Sequence, residues 1–185
     1  MSFQAGILLR EVHPVARKEG LAISSLGSIS EQSLGGVLST AAHGVGLKYP
    51  TLSGMTTSIT LIKADTSIVT CSAEENADLF HATLCGLGCT GIITQVTLQL
   101  EPDFRLKEEI FAMDPNDFIE SLETDRDGGE HGLLGSAEHV RCWFFPHNGY
   151  VKVSRLNRTT EVCFASPELM YKLTVYLAQA HVKPA

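Results

Sequence analysis

Glycine residues and hydroxyl-bearing side chains are concentrated between residues 27 and 46, a stretch with five glycines among its twenty residues. Ser33 is a good N-cap residue, so a short helix is predicted to begin at Leu34. Gly35 and Gly36 then fall in its first turn, where each costs about 1 kcal/mol relative to alanine. Two poor helix formers at this position indicate that a ligand must touch the backbone there.

The start of this helix has the character of an anion site. N–H groups at a helix N-terminus, with no bulky side chains around them, favour negative charge. About one turn further on, hydrogen-bond donors or acceptors are added by Ser39, Thr40 and His43. They are expected to meet the same ligand. The alternative is a glycine-containing helix buried against a sheet, and spacing alone does not choose between the two.

A second glycine cluster, Gly86-Leu87-Gly88-Cys89-Thr90-Gly91, has the form G-x-G-x-x-G. A dinucleotide-binding fingerprint of this form follows a strand and opens a helix. Here the preceding residues predict a helix, and residues 92–100 are rich in β-branched side chains and predict a strand. The Rossmann interpretation therefore fails, and the glycines are expected to let the backbone turn sharply.

Both glycine clusters resemble segments of one enzyme family. Residues 30–36, running into residues 40–46, are similar to the flavin-binding segment of the aldonolactone oxidases. These are FAD enzymes of the vanillyl-alcohol-oxidase type and include D-arabinono-1,4-lactone oxidase and L-gulonolactone oxidase. Residues 80–98 are similar to a second segment of the family and follow in the right order. The resemblance extends from about residue 5 to about residue 159.

The resemblance implies contacts with FAD, but no catalytic residue and no metal ligand in this chain. It places Ser28, in the turn before the helix, beside the reactive ring, and places backbone groups around Ile92 and Ile93 at the edge of the flavin. The implied cofactor-binding residues are Ser28, Ser33, Gly35, Gly36, Ser39, Thr40, His43, Gly44, Gly91, Ile92 and Ile93.

The reaction implied by the resemblance is oxidation of an aldono-1,4-lactone by FAD, with O2 as electron acceptor. Family members begin with a Gly-His-Ser flavin loop that this sequence lacks, so the chain is expected to be a fragment. Residues 1–102 then form the antiparallel-sheet half of a PCMH-type FAD-binding domain, and residues 103–185 begin an α+β substrate cap domain. The alternative is a truncated, non-catalytic remnant with weak or no flavin binding.

Composition excludes some partners. The 185 residues carry a net charge of −7, which argues against nucleic acid. No apolar run approaches the roughly 18 residues that span a bilayer, and no signal or transit peptide is visible at the N-terminus. A cytoplasmic location is the default, and the family resemblance adds mitochondrial membrane association as an alternative. The expected partners are a small sugar lactone and O2.

The five cysteines do not form a disulfide framework. Cys85, Cys89 and His81 resemble a metal cluster only superficially, because a helix ending near Cys85 separates their faces and no second ligand pair accompanies them. Reduced thiols in the core are the better interpretation. His81 is expected to be a half-buried scaffold residue.

Hydrophobic patterning predicts an α+β fold for the first hundred residues. The predicted elements are a strand end at 3–7, a helix at 9–19 closed by Gly20, an extended segment at 21–24, and a hairpin of strands at 58–63 and 67–71. Ser72 and Glu75 have the spacing of a capping box, which predicts that a helix opens at Ser72.

Residues 101–103 break the pattern and are taken as a domain boundary. Beyond them the sequence predicts a strand at 104–113, a helix from Asp114-Pro115 to about residue 123, and a mobile loop at 124–137 that contains a solvated His131. Strands at 138–145 and 150–156 flank Asn148-Gly149, a strong hairpin signal. Core side chains are expected from Trp143, Phe144 and Phe145, and a last helix from residues 169–180.

Overall fold

A computed structural model of the protein describes residues 1–126 and 132–161. The chain divides into two compact units, Met1–Asp103 and the residues from Phe104 onward. Each unit has its own sheet and its own hydrophobic core. The predictions for His131, for Cys163 and for a helix at residues 169–180 lie outside the described residues.

The first unit combines short helices with short strands. Its helices are α1 (Leu9–Lys18), α2 (Leu34–Ser39) and α3 (Ala77–Thr83), and its strands are β1 (Ser2–Gln4), β2 (Leu21–Ala22), β3 (Thr56–Ile62), β4 (Ile68–Ser72), β5 (Ile92–Leu98) and β6 (Glu101–Pro102).

Four of these strands form one antiparallel sheet in the order β1-β5-β3-β4. Ile62 pairs with Ile68 across the β3–β4 turn, as the hairpin prediction requires. Strand β5 pairs antiparallel with both β1 and β3, while β2 and β6 form a separate two-stranded antiparallel pair. The predicted α+β fold with antiparallel pairing is confirmed.

The core of the first unit follows from the periodicity of its elements. In β3 the alternate residues Ile59 and Leu61 are fully buried, because successive side chains point to opposite faces of a sheet. In α1 the buried residues are Leu9, Val12 and Ala16, which share one helical face. The core contains Leu34, Val37, Ile59, Leu61 and Val96, with the partly buried Ile93 packed against it.

Sequence signals predicted the end of α1 correctly but not the start of α3. Gly20 has a φ of 69° just after α1, the left-handed conformation that the helix stop requires. The prediction that a helix opens at Ser72 is wrong, because Ser72 is the last residue of β4. Its hydroxyl accepts hydrogen bonds from the Glu74 and Glu75 N–H groups at 3.2 and 3.1 Å. Those bonds shape a turn, and α3 begins five residues later at Ala77.

The second unit is built on a three-stranded antiparallel sheet of order β7-β9-β8. Its elements are β7 (Arg105–Met113), α4 (Pro115–Arg126), β8 (His139–Phe145) and β9 (Tyr150–Thr159). The Asp114 carboxylate accepts a hydrogen bond from the Asn116 N–H at 2.8 Å, at the predicted start of α4. Gly149, with a φ of 65°, completes the predicted turn between β8 and β9.

The loop predicted after residue 123 differs in part from the structure. Helix α4 continues to Arg126, and Leu133 is buried in the core, so the two ends of the predicted loop are not a mobile loop. Residues 127–131 of that loop lie outside the described residues. The Leu134 N–H donates to the Asp125 carboxylate at 2.9 Å, which ties this segment to the helix.

The aromatic residues of β8 do not supply the core as predicted. Phe144 and Phe145 are 57% and 39% exposed. Trp143 is half-buried, with the Arg141 and Lys152 cations each 5.1 Å from its ring centroid. The buried positions are instead filled by Leu133 and by three valines, Val140, Val151 and Val153.

The cysteine predictions are partly wrong. Cys71 is buried and Cys142 is half-buried, but Cys85 and Cys89 are exposed free thiols. His81 is also exposed and not half-buried, because the buried residues of α3 are Phe80 and Thr83. Among the described residues there is no cluster of three or more potential metal ligands. No helix in the described part of the chain has the length and apolar character needed to cross a membrane.

Candidate functional site

An open cleft of about 330 Å³ lies in the first unit, at the end of α2 that follows Ser33. Three stretches of chain line it: the residues after β1, the first turns of α2, and the turn that leads into β5. The lining residues are Ala5, Gly6, Ser33, Gly35, Gly36, Ser39, Gly88, Gly91 and Ile93.

The first turn of α2 is held by hydrogen bonds to the segment after β1. The Leu34 N–H donates to the Ile7 carbonyl at 2.9 Å, and the Gly35 N–H donates to the Ala5 carbonyl at 2.8 Å. The Gly36 N–H donates to Ser33 Oγ at 3.3 Å, as the N-cap prediction requires. The prediction of bare N–H groups waiting for an anion is therefore wrong, because the chain itself satisfies these donors.

The glycines of the cleft have two different physical roles. A Cβ at Gly35 would lie 3.1 Å from the Ala5 Cβ, and one at Gly91 would lie 2.4 Å from the Ile62 carbonyl oxygen. These two glycines permit close packing of neighbouring backbone. At Gly36 the described atom that a Cβ would approach outside the backbone of its own helix is Ser33 Oγ, at 3.0 Å. At Gly6 a Cβ would meet no atom of the described residues within 4 Å apart from its chain neighbours, so Gly6 leaves the cleft surface open. The contact at Gly36 is with one side-chain hydroxyl and not with backbone.

The turn at residues 86–91 is attached directly to α2. The Leu87 N–H donates to the Ser39 carbonyl at 3.2 Å, while the Ser39 hydroxyl donates to the Gly35 carbonyl at 2.8 Å. Leu87 and Gly88 both have left-handed backbone, with φ of 49° and 79°. This reversal after α3 brings Gly88 and Gly91 to the cleft.

Six of the eleven predicted cofactor-binding residues meet at this cleft: Ser33, Gly35, Gly36, Ser39, Gly91 and Ile93. They come from the two sequence segments that resemble the aldonolactone oxidases, so the fold brings those segments together. The lining offers hydroxyl groups, backbone and small apolar surface, without a carboxylate, an amine or an imidazole. Such a surface can bind and orient a ligand but offers no general acid or base.

The other predicted residues do not line the cleft. The Thr40 hydroxyl donates to the Gly36 carbonyl at 3.2 Å and is directed back along α2. His43 is exposed, with Nδ1 2.8 Å from the Gly44 carbonyl oxygen. Gly44 is needed for packing, because a Cβ there would lie 2.0 Å from Ser25 Oγ.

Ser28 and Ile92 also lie outside the cleft lining. Ser28 is exposed in the segment between β2 and α2. The Ile92 side chain is 71% exposed at the start of β5, next to Gly91. Their contacts with FAD stay predictions.

Three lining residues were not predicted: Ala5, Gly6 and Gly88. Gly88 belongs to the G-x-G-x-x-G cluster, so its glycine spacing was an available signal. Ala5 and Gly6 carry no comparable signal, because their place in the site follows from the pairing of β1 with β5 and from the bonds to α2.

Comparison with known proteins identifies the class of this unit. Residues 1–72 match the sequence family described as an FAD binding domain. The fold is similar to that of a solvent-stable cholesterol oxidase, with a TM-score of 0.73 and 21% identity over 88% of this chain and 32% of the other. The chain therefore carries part of an FAD-binding domain. This match confirms FAD as the predicted cofactor.

Sequence relatives then show a more specific similarity. The chain is 35% identical to L-gulonolactone oxidase of Mus musculus over 161 residues, which are 87% of this chain and 35% of the relative. It is 33% identical to D-arabinono-1,4-lactone oxidase of Debaryomyces hansenii over 163 residues, 87% of this chain and 28% of the relative. Over most of its length the chain is thus similar to aldonolactone oxidases, and it spans about a third of the length of these relatives.

Proposed function

We propose that the cleft of the first unit is one wall of an FAD site, and that the protein takes part in oxidation of an aldono-1,4-lactone with O2 as electron acceptor. The observation that carries the proposal is the convergence of Ser33, Gly36, Gly91 and Ile93 on one cleft. These residues come from both family-like segments, one around α2 and one around β5.

The surface of the cleft suits a flat, extended cofactor. Gly6 and Gly36 leave backbone exposed where side chains would otherwise project, and glycine is the residue that permits close approach of a ligand to the backbone. Ser33 and Ser39 each retain acceptor lone pairs on their hydroxyl oxygens. A volume of about 330 Å³ is near the lower end of ligand sites, which span about 300–1,000 Å³. It matches a part of FAD better than the whole cofactor.

When bound, FAD supplies the redox chemistry by accepting hydride from the carbon that bears the hydroxyl group of the lactone. The residues of this chain bind and orient the flavin, since the cleft lining has no side chain that transfers protons. We place Ser28, Thr40, His43, Gly44 and Ile92 in the same site as secondary contacts, on the strength of the family resemblance. The second unit is proposed to begin the substrate cap.

The test uses a protein that contains this sequence and is as long as the relatives. It measures how much flavin the protein retains and whether the protein turns over substrate. FAD absorbance should co-purify with that protein, and hydrogen peroxide should appear when an aldono-1,4-lactone is added under air. A flavin-free protein with an intact fold would overturn the cofactor assignment. A flavin-loaded protein that releases no peroxide with any aldonolactone would overturn the assignment of the substrate or of O2 as the acceptor.

A further inference from the structure

Two exposed thiols lie beside the proposed flavin cleft and have no role in it. Cys85 and Cys89 are both free and exposed, and they stand on either side of the segment Gly86-Leu87-Gly88. Gly88 lines the cleft. The remaining cysteine of the first unit, Cys71, is buried in the core.

The backbone reverses between the two thiols. The Cys89 N–H donates to the Gly86 carbonyl at 2.8 Å, and the Thr83 and Thr90 hydroxyl oxygens are hydrogen bonded at 3.0 Å. The second of these contacts joins residues 83 and 90, so Cys85 and Cys89 both lie within one closed segment of the chain. A disulfide requires two Cα atoms within about 4.4–6.8 Å, which a closed five-residue turn can supply.

The same turn is connected to the wall of the cleft. The Leu87 N–H donates to the Ser39 carbonyl at 3.2 Å. Leu87 has a φ of 49°, a conformation that is uncommon for a residue with a large side chain. A change in the conformation of this turn therefore acts on Ser39 and Gly88, both of which line the cleft.

We propose that Cys85 and Cys89 are a peroxide-sensitive thiol pair that closes reversibly into a disulfide at the rim of the cleft. One thiolate attacks a peroxide oxygen, which gives a sulfenic acid and releases water after protonation. The second thiol then attacks the sulfenic sulfur, the S–S bond forms, and a second water leaves. Two electrons pass from the sulfurs to one molecule of hydrogen peroxide. Only the source of that peroxide rests on the proposed oxidase function.

The disulfide is expected to be readily reduced. It is exposed and closes a very short loop, and exposed or strained disulfides are the labile ones. It also links two positions of the turn that presents Gly88 to the cleft, so the oxidised chain should present an altered cleft wall. The pair thus gives the flavin site a means of responding to peroxide.

The experiment treats the reduced 185-residue chain with added hydrogen peroxide and then blocks free thiols with iodoacetamide. Chymotryptic cleavage after Phe80 gives a fragment that begins at His81 and contains Cys85 and Cys89 but not Cys71. After peroxide treatment the fragment should carry no carbamidomethyl group. Its mass should be two hydrogen atoms below that of the reduced, unalkylated fragment. Dithiothreitol should restore both alkylation sites.

Single substitutions separate the two steps. Cys85→Ser and Cys89→Ser should each lose the disulfide and leave the remaining cysteine as a sulfenic acid that dimedone traps. Cys163→Ser should leave the disulfide unchanged. Equal alkylation of the fragment with and without peroxide would overturn the proposal, as would disulfides to Cys71 or Cys142 in comparable yield. Because the peroxide is added, either outcome is independent of whether the protein proves to be an oxidase.

Discussion

Glycine substitution separates backbone packing from ligand contact at the cleft. Gly35 and Gly91 face neighbouring backbone, so a side chain there would disturb the fold before it met any cofactor. Outside its own helix, a Cβ at Gly36 would approach the Ser33 Oγ at 3.0 Å, a tight contact with a side chain and not with neighbouring backbone. That hydroxyl also accepts the Gly36 N–H bond, so the folding of a Gly36 variant is checked by its thermal melt. Gly36 is therefore the glycine whose substitution reports most directly on the ligand.

Gly36→Val is expected to abolish flavin retention in a protein of the relatives' length, because a β-branched side chain would occupy the cleft wall. The measurement is the flavin absorbance that co-purifies. Gly27→Val is the matched control, since a Cβ at Gly27 lies 3.6 Å from the His43 carbonyl oxygen, an ordinary contact. Equal flavin content in the two variants would contradict the assignment of Gly36.

Gly132 is not a suitable control, although a mobile-loop interpretation would suggest it. A Cβ there would lie 1.9 Å from an Asp125 carboxylate oxygen. That carboxylate accepts the Leu134 N–H bond, so a side chain at Gly132 would disturb the segment after α4.

The thiols are expected to react in two classes. Burial, and to a lesser degree the Glu75 charge, raises the pKa of Cys71 above the ordinary 9.0. Burial, and then the Asp125 charge, likewise raises the pKa of Cys142. In a Cys163→Ser variant at mildly alkaline pH, a thiol-specific reagent should modify Cys85 and Cys89 quickly and the other two slowly, because the thiolate is the reactive form. Rapid modification of Cys71 in the folded chain would contradict this.

The shifted Cys71 pKa also predicts a pH dependence of stability. The folded state favours the protonated thiol, so this contribution is present below pH 9.0 and is lost as the pH rises through the higher folded value. The free energy of unfolding should therefore fall in this range and fall less steeply in Cys71→Ala. Denaturant titrations at several alkaline pH values measure both slopes, and identical slopes would contradict the shift.

Residue-level prediction succeeded where a local signal existed. Ser33 was predicted as an N-cap from its place before Leu34, and the structure shows that bond. Cys85 and Cys89 were predicted to be buried because of their residue type, yet a sharp reversal after α3 exposes them. Such exposure depends on tertiary placement, which residue type alone does not specify.

At the scale of elements, helix α2 depends on its cap. It has only six residues, and short helices derive little stability from propensity alone. Ser33→Ala removes the acceptor of the Gly36 N–H and should lower the free energy of unfolding by about 1 kcal/mol. Urea denaturation measures the change. Ser30→Ala is the control, because Ser30 Oγ makes only a 3.4 Å bond to the exposed Glu31 carboxylate, and an equal loss in both variants would contradict the capping role.

Local sequence patterns predicted whether a segment is a helix or a strand. They did not predict which strands pair with each other over long distances in the sequence. The β3–β4 hairpin and the β8–β9 hairpin were predicted from alternation and turn residues, and both are present. The pairing of β1 with β5 joins residues more than ninety positions apart and carries no local signal. In β8, strand propensity correctly indicated a strand, but Phe144 is 57% exposed because aromatic character does not determine which face is covered.

At the scale of the whole molecule, the chain has two units with separate cores. The FAD binding domain match covers residues 1–72, within the first unit. The family-like segment at residues 80–98 lies beyond that match and supplies Gly88, Gly91 and Ile93 to the cleft. The assignment of the second unit as the beginning of a substrate cap stays a prediction.

The 185-residue chain alone is expected to bind FAD weakly. Its cleft of about 330 Å³ is open and lacks charged side chains, so it offers the flavin one wall and no counter-charge for a pyrophosphate. Quenching of flavin fluorescence on titration with the chain measures the affinity, and Gly36→Val should weaken it further while Gly27→Val should not. Tight, stoichiometric FAD binding with lactone-dependent peroxide release would contradict this expectation and show that these residues form a complete site.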